Sequence, residues 1–273
     1  MRVLLRLAYE GAPFHGSARQ PDLRTVEGET EFALRKVGAI QDSASSHFLF
    51  ASRTDAGVNA LGNVVGVDTD FPPEGLVGAF NAVSRDVAAT GYAVAPVGFD
   101  PRHARSRWYR YLLEGDLHLP AWRRHATLFV GEHDFASFTK APDETVRRID
   151  RIDVDRDGDW TAFDVRAPGF LWNMVRRVVA AIQALSAGDA VEADVTAALR
   201  GERRIDLGMA AAPGLTLMAV EYDFPFRGGL DGARRESLRR QSHEARLRSR
   251  WLEDVLGNAR GGEEARNPYS YGV

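Results

Sequence analysis

The sequence has 273 residues, of which 44% are hydrophobic and 27% are charged, and it contains no cysteine. This is the composition of a globular protein, and it excludes disulfides, thiolate metal sites and cysteine nucleophiles. The formal net charge of −3 conceals a strong bias, because all 35 basic residues except Lys36 and Lys140 are arginines. Guanidinium groups suit phosphates and planar bases, although the codon bias of a GC-rich genome explains the same excess.

No membrane segment is predicted. No apolar run approaches the roughly 20 residues that a membrane-spanning helix needs. Arg6 interrupts the apolar stretch at the amino terminus, and no small-residue cleavage pattern follows it. We therefore expect a soluble, cytoplasmic protein with no membrane partner.

Strand and helix patterns alternate over residues 1–98. From Val3 to Tyr9, apolar and polar side chains alternate as in a half-buried strand, and Thr25 is placed to cap a helix. The order β-α-β-β-α-β is that of a ferredoxin-like half. Further strands are predicted at 48–51, 64–67 and 92–97, and helices at 26–37 and 75–83.

A second α+β half is predicted at residues 99–225. Its element order is similar to that of the first half, but no clear sequence repeat links the two. We expect strands at 108–113, 149–154, 160–165 and 215–222, and a strongly apolar helix at 174–185.

The composition changes after residue 225. Residues 226–273 contain ten arginines and seven acidic residues, and 234–256 have the pattern of one polar helix followed by a loose segment. This extension is interpreted either as a solvated tail or as an arm that contacts RNA or a second subunit.

Two metal-site patterns are rejected. The run from Asp153 to Gly158 matches the first half of a calcium loop, but its flanks alternate as strands do and Asp157-Gly158 is a hairpin signal. The seven histidines show no ligand spacing, and Pro120 is taken to break any helix shared by His118 and His125. No glycine-rich phosphate loop is present, so we expect no metal, ATP or nicotinamide cofactor.

The polar segment from Ser52 to Ala60 lies between two predicted strands. It contains Arg53 and Asp55, and Gly57 permits a tight backbone path. A carboxylate on a loop can act as a nucleophile or a base, but an arginine two residues away is equally typical of a structural ion pair. The residues alone leave both interpretations open.

The motif from Arg53 to Val58 resembles the signature loop of the tRNA pseudouridine synthase A family. Other motifs follow in the family's order and cover residues 3–224. They are Tyr9-Glu10-Gly11, Gly16, Arg19-Gln20, Thr25-Val26-Glu27, Phe99 to Arg102, Arg107 to Tyr111, Phe170, Met174-Val175-Arg176, and Gly214-Leu215 followed by Leu217, Val220 and Tyr222.

The resemblance implies an isomerase that converts uridine to pseudouridine in the anticodon stem-loop of tRNA, at positions 38 to 40. The bond from C1′ to N1 is broken and C1′ is joined to C5, so that no cofactor is needed. It implies two ferredoxin-like halves whose antiparallel sheets join around a central active-site cleft. It also implies a homodimer that binds tRNA across both subunits.

The resemblance assigns a role to individual residues. Asp55 matches the catalytic aspartate, as nucleophile at C1′ or as base at the 2′ position, and Arg176 matches its basic partner. Tyr109 matches the aromatic residue that stacks on the extruded uracil, above the apolar wall of Leu215. Arg53 matches a residue that fills the gap left by the flipped nucleotide. The residues expected to line the RNA are Phe99, Arg102 and His103.

Three residues depart from the family's pattern. Ser17 and Ala18 replace an aromatic residue and glutamine, and Asn59 replaces histidine; we expect them near the RNA, where they affect selectivity. Other interpretations are a non-catalytic module that binds structured RNA, a carboxylate-dependent hydrolase of small molecules, and the same chemistry on a different RNA.

Overall fold

A computed structural model describes residues 1–115, 117–141 and 143–260, and the side chains up to residue 257. Its contacts divide the chain into a unit of Met1–Leu230 and a second unit that begins at Asp231. The strands are β1 (Arg2–Tyr9), β2 (Leu49–Phe50), β3 (Asn59–Asp68), β4 (Val87–Ala95), β5 (Ser106–Glu114), β6 (Gly131–Asp134), β7 (Val146–Ile149), β8 (Arg151–Asp157), β9 (Trp160–Ala167) and β10 (Leu215–Glu221). The helices are α1 (Val26–Lys36), α2 (Pro73–Val83), α3 (Leu119–Thr127), α4 (Met174–Ala187), α5 (Glu192–Leu199) and α6 (Gly232–Arg260).

One large sheet organises the first unit. Its strand order is β4-β1-β3-β10-β5-β9-β8, with β2 paired to β3, while β6 and β7 form a small separate sheet. Helices α1 and α2 contact each other and β4, whereas α3 contacts β8 and α4. The predicted α+β class with a large, mostly antiparallel sheet is confirmed. The finer division into two ferredoxin-like halves stays a prediction, as do the boundaries at residues 98 and 225.

A single parallel pairing joins the strands of residues 1–98 to those that follow. Thr216 and Leu217 of β10 pair with Asn59 and Ala60 of β3, and the other pairings of the large sheet are antiparallel within the described residues. Because β3 begins directly after the Asp55 segment, this junction brings the start of β10 beside that segment.

Two local predictions are confirmed. The Thr25 hydroxyl accepts a hydrogen bond of 3.2 Å from the backbone N–H of Gly28, and thereby caps α1. Asp157 pairs with Trp160 across a two-residue turn in which Gly158 has φ of +61°, so the calcium-like run is a β-hairpin.

Other elements differ from the predictions. Pro120 lies in the first turn of α3. A backbone N–H at this position has no acceptor within the helix, so proline is tolerated there and stands at the start of a helix instead of breaking one. His118 precedes this helix and His125 lies in its last turn. Strand β4 begins at Val87 and not at Tyr92.

The second unit consists of α6 in the part that is described. The predicted helix over 234–256 is confirmed, with bounds a few residues wider, and the last thirteen residues of the predicted loose segment, 261–273, lie outside the described residues. No helix in the described ranges is long and apolar enough to cross a membrane.

Candidate active site

The loop that carries Asp55 is held by the segment that follows β1. The Ser17 hydroxyl accepts a hydrogen bond of 2.7 Å from Thr54 N–H, and Ser17 N–H donates to the Thr54 carbonyl at 2.9 Å. The phenol of Tyr9 and the hydroxyl of Thr54 share a hydrogen bond of 2.9 Å. Gly57 has φ of +81°, as the tight path predicted. The Asp55 backbone is therefore fixed on both sides of the carboxylate.

Three side chains from one segment donate to the Asp55 carboxylate. The indole N–H of Trp172 donates to Oδ1 at 3.0 Å, and the guanidinium of Arg176 donates to Oδ2 at 3.1 Å. The amide of Asn173 also donates to Oδ2. Arg176 is fixed in turn by a hydrogen bond of 2.7 Å from its Nε to the carbonyl of Ala210. The ion pair of Asp55 is thus with Arg176, and the side chain of Arg53 is exposed.

The start of α4 aims these donors. Asn173 has φ of +63°, a left-handed conformation that asparagine tolerates better than most residues. This turn places Trp172 and Asn173 beside Asp55 just before the helix begins at Met174. The first turn of α4 then presents Arg176, and the positive end of the helix dipole also favours an anion there.

An apolar wall adjoins the carboxylate. Tyr109 on β5 is buried, and its ring packs edge-to-face on Phe170 at 5.3 Å between centroids. Leu215 is the buried first residue of β10. Burial raises the pKa of the Tyr109 phenol, so that its hydroxyl stays protonated near neutral pH. The phenol is therefore suited to stacking and to donating a hydrogen bond.

These residues line one cleft of about 990 Å³ in the first unit. Six of the described lining residues carry a positive charge, and Asp55 is the one acid among them. Such a cleft is suited to a polyanionic ligand. The six basic residues are Arg53, Arg102, Arg107, Lys140, Arg147 and Arg176.

Arg107 ties together the segments that form this cleft. Its guanidinium is buried and donates to the carbonyls of Ala51 at 3.0 Å and Arg102 at 2.8 Å, and to the hydroxyl of Ser52 at 2.9 Å. It also donates to the carbonyl of Pro168, another residue of the cleft lining. The sequence placed Arg107 in a family motif without a role, and the structure gives it this contact set.

The remaining predicted site residues are divided by the structure. Arg102 lines the cleft and forms an exposed ion pair with Asp100 at 2.7 Å. Phe99 instead packs its ring against Tyr222 and Phe224, outside the cleft lining. His103 is exposed and also lies outside that lining. The structure thus brings together Asp55, Arg53, Tyr109, Arg176, Leu215 and Arg102, but not Phe99 or His103.

The departures from the family pattern occupy structural positions. Ser17 is fully buried against the Asp55 loop, and Ala18 lines the cleft. The Asn59 side chain accepts a hydrogen bond of 2.8 Å from Gly11 N–H and donates to the Pro213 carbonyl at 3.1 Å. Ser17 and Asn59 therefore support the loop and the strand junction in this structure.

Sequence reasoning missed Trp172 and Asn173. They are 117 and 118 residues from Asp55, so no local pattern joins them to it. The one signal in the sequence was their position directly before the Met174-Val175-Arg176 motif. Residues that immediately precede a helix lie close to a site residue in its first turn.

The comparisons with known proteins agree on one family. A family profile described as tRNA pseudouridine synthase matches residues 126–223. A tRNA pseudouridine synthase A from Methanococcoides burtonii is 38% identical over 264 residues, which cover 94% of this chain and 96% of that protein. The tRNA pseudouridine synthase A from Thermococcus onnurineus is 39% identical, and the match covers 94% of this chain and 99% of that protein. The tRNA pseudouridine synthase A from Methanosarcina mazei is 41% identical, and the match covers 81% of this chain and 85% of that protein.

Proposed function

The chain belongs to the tRNA pseudouridine synthase A family, and on that premise we propose that it isomerises uridine to pseudouridine in the anticodon stem-loop of tRNA. Positions 38 to 40 are the proposed sites, and Asp55 is the proposed catalytic residue. The observation that carries the proposal is the Asp55 carboxylate, held by three donors in an otherwise cationic cleft beside Tyr109 and Leu215.

The chemistry needs one carboxylate and no co-reactant. The electron pair of the C1′–N1 bond leaves with the uracil ring while Asp55 either bonds to C1′ or takes the 2′ proton. The ring then turns and its C5 bonds to C1′, while the Asp55–C1′ bond breaks or the 2′ proton returns to the sugar. The C5 proton passes to solvent, and N1 takes up one proton. The RNA keeps its composition, and Asp55 returns to its initial state.

The neighbouring residues match the needs of this sequence. C1′ and C5 of a stacked nucleotide are not both accessible, so the base must leave the helix. The exposed Arg53 at the mouth of the cleft is proposed to occupy the vacated space. Tyr109 is proposed to stack on the extruded uracil, a contact that contributes about 1–3 kcal/mol per base. Leu215 closes the apolar side of the pocket.

The assembly and location are proposals of the same kind. We propose that the enzyme acts as a homodimer in the cytoplasm, where one tRNA contacts both subunits. Arg102 and His103 are proposed to contact RNA outside the reacting base, whereas the ring contacts of Phe99 give it a packing role. Sedimentation of the enzyme alone would measure its number of subunits, and sedimentation with tRNA would measure how many subunits bind one tRNA.

The decisive experiment is release of tritium from C5-labelled uridine in tRNA transcripts. We expect Asp55→Asn to abolish release while tRNA binding persists, because the amide keeps the shape but not the reactive carboxylate. Asp206→Asn is the matched control, since Asp206 pairs with the adjacent Arg177 at 3.1 Å and lies outside the cleft lining. Release by Asp55→Asn at the parent rate would refute the assignment of Asp55.

A non-catalytic RNA-binding module is the second candidate, favoured by the cationic cleft alone. It predicts tight tRNA binding with no tritium release from any transcript. A carboxylate-dependent hydrolase of small molecules is disfavoured, because Asp55 is the one acid among the described residues of the lining and no second carboxylate stands beside it.

A further inference from the structure

Helix α6 exposes all of its sides over most of its length. Every residue from Arg239 to Gly257 is exposed, including Trp251 at 63% and Leu247 at 58%. An isolated helix with no buried face is marginally stable in water, because tertiary packing supplies most helical stability. The exposed length therefore indicates a surface that becomes covered when a partner binds.

The charge of this helix is opposite to that of the chain. Residues 234–250 contain seven arginines and two glutamates, a net charge of +5. Because the whole chain carries −3, all its other residues together carry −8. The positive charge is therefore local to the helix, which favours a polyanionic partner over a neutral one.

Three arginines share one side of the helix. With about 100° between successive residues, Arg239, Arg246 and Arg250 fall within a sector of about 40° that extends about 17 Å along the axis. We call these three residues the arginine stripe; His243 borders it. Glu244 is the one acid between Arg239 and Arg250, and it lies about 140° away from the centre of the stripe.

The ion pairs of the stripe leave it available to another anion. Arg239 lies 3.7 Å from Glu236, and Arg250 lies 3.1 Å from Asp254 and 3.9 Å from Glu253. All five side chains belong to the same helix and are exposed. Exposed helical pairs of this kind contribute little and are screened by salt. A phosphate that accepts two N–H bonds from one guanidinium competes well with them.

We propose that the arginine stripe of α6 binds the phosphate backbone of tRNA. The inference rests on the proposed function, which makes tRNA the polyanion that the enzyme must hold. A continuous line of three guanidinium groups contacts successive phosphates without reading sequence, so the stripe contributes affinity and not the choice of uridine.

Two double variants of the full chain test the stripe. Arg239→Gln with Arg246→Gln removes two charges from the stripe, and Arg240→Gln with Arg248→Gln removes two charges from other sides of the same helix. Binding of fluorescent tRNA is measured by anisotropy over a range of salt concentrations. We expect the stripe variant to lower the slope of log K against log salt by about 1.4–1.8, and the control to leave it almost unchanged.

Turnover separates this inference from the proposed function. The stripe variant should raise KM severalfold and leave kcat at saturating tRNA unchanged, since none of the described residues that line the cleft belongs to α6. If the parent binds tRNA but releases no tritium, the proposed function fails while the binding test of the stripe still holds. If both variants lower the salt slope equally, tRNA is attracted by the whole charge of the helix and not by the stripe. If the stripe variant keeps the slope of the parent, the stripe does not bind tRNA.

Hydrogen exchange gives a second readout on the unmodified protein. Amides between residues 239 and 256 should exchange rapidly in the free enzyme and become protected when tRNA is added. Protection that instead rises with protein concentration in the absence of RNA would assign the helix to contact with a second copy, through the apolar side that contains Leu252 and Leu256. That result would overturn the RNA assignment.

Discussion

Both oxygens of Asp55 already have hydrogen-bond donors in the absence of substrate. Oδ2 accepts from Asn173 and from the partly buried Arg176, whereas Oδ1 accepts from Trp172, whose residue is 61% exposed. Oδ1 accepts one hydrogen bond and Oδ2 accepts two, so Oδ1 keeps a lone pair free while its donor stays in place. Oδ1 is therefore the oxygen expected to face the ribose, with Trp172 orienting it.

The variant Trp172→Phe tests this orienting role. Phenylalanine keeps an aromatic ring at the cleft but removes the N–H that reaches Oδ1. A hydrogen bond to a charged group contributes about 1.5–3 kcal/mol, and exposure puts this one at the lower end, so kcat should fall about tenfold. The tRNA affinity should change little.

Single-turnover tritium release measures this effect without product release. Trp160→Phe is the matched control, because Trp160 is also exposed but lies at the β8–β9 hairpin, away from the cleft. If both variants react at the parent rate, the indole N–H has no part in positioning Asp55.

At the scale of elements, the Asp55 loop depends on the turn after β1. A Cβ on Gly11 would lie 2.5 Å from the backbone nitrogen of Val58 and 2.5 Å from the carbonyl carbon of Gly57. Real Cβ atoms do not approach backbone so closely, so any side chain there must displace one of the two segments. Because residue 11 is glycine, the Asp55 loop can pack against the turn after β1.

We expect Gly11→Ala to lower both Tm and kcat, because the displaced loop carries the catalytic carboxylate. A destabilisation of about 1–3 kcal/mol is typical for overpacking of this kind. Gly78→Ala is the control: Gly78 lies within α2 with no atom near the position of its Cβ, and the change should stabilise by about 0.5–1 kcal/mol. A Gly11→Ala enzyme with parent Tm and kcat would contradict the close contact.

Elements defined by their own residues could be predicted from the sequence. Thr25 caps α1 and Gly158 turns the β8–β9 hairpin through contacts a few residues apart, so both signals are complete locally. Helix α3 was missed because proline at a first turn and proline inside a helix have the same local signature. The left-handed conformation of Asn173 was not predicted, because asparagine adopts other conformations as well and the carboxylate to which it donates is 118 residues away.

At the scale of the whole molecule, the candidate site joins residues that are far apart in sequence. The resemblance identified Asp55, Tyr109, Arg176 and Leu215, and the structure places them in one cleft. It did not separate Phe99, a packing residue here, from Arg102, because the two belong to one motif and diverge through their tertiary contacts. Proximity of this kind depends on strand pairing, which single-sequence patterns do not specify.

Buried phenols predict how the fold responds to alkali. Burial raises the pKa of Tyr109 and Tyr222, and raises that of Tyr9 from 10.0 to about 12. Since each folded-state pKa lies above the unfolded value, the neutral phenols stabilise the fold fully below pH 10, and the contribution is lost as the pH rises through the folded values. We expect these phenols to titrate together with unfolding.

Tyrosinate absorbance and far-ultraviolet circular dichroism, recorded on one pH series, measure this coupling. The rise in tyrosinate absorbance should coincide with the loss of helical signal above pH 10. A complete tyrosinate signal on a chain that keeps its native circular dichroism would show that these phenols are accessible.

The parallel pairing of β3 with β10 also sets an order of events during synthesis. Asn59 and Thr216 are 157 residues apart, and Asp55 meets Arg176 across 121 residues. Contacts of such separation form late, because a long loop must close before they are gained. A nascent chain that still lacks α4 and β10 therefore presents the aspartate without its guanidinium partner or its apolar wall. The site is complete only when β10, the last strand of the sheet, has been synthesised. Premature termination of translation therefore yields an inactive fragment.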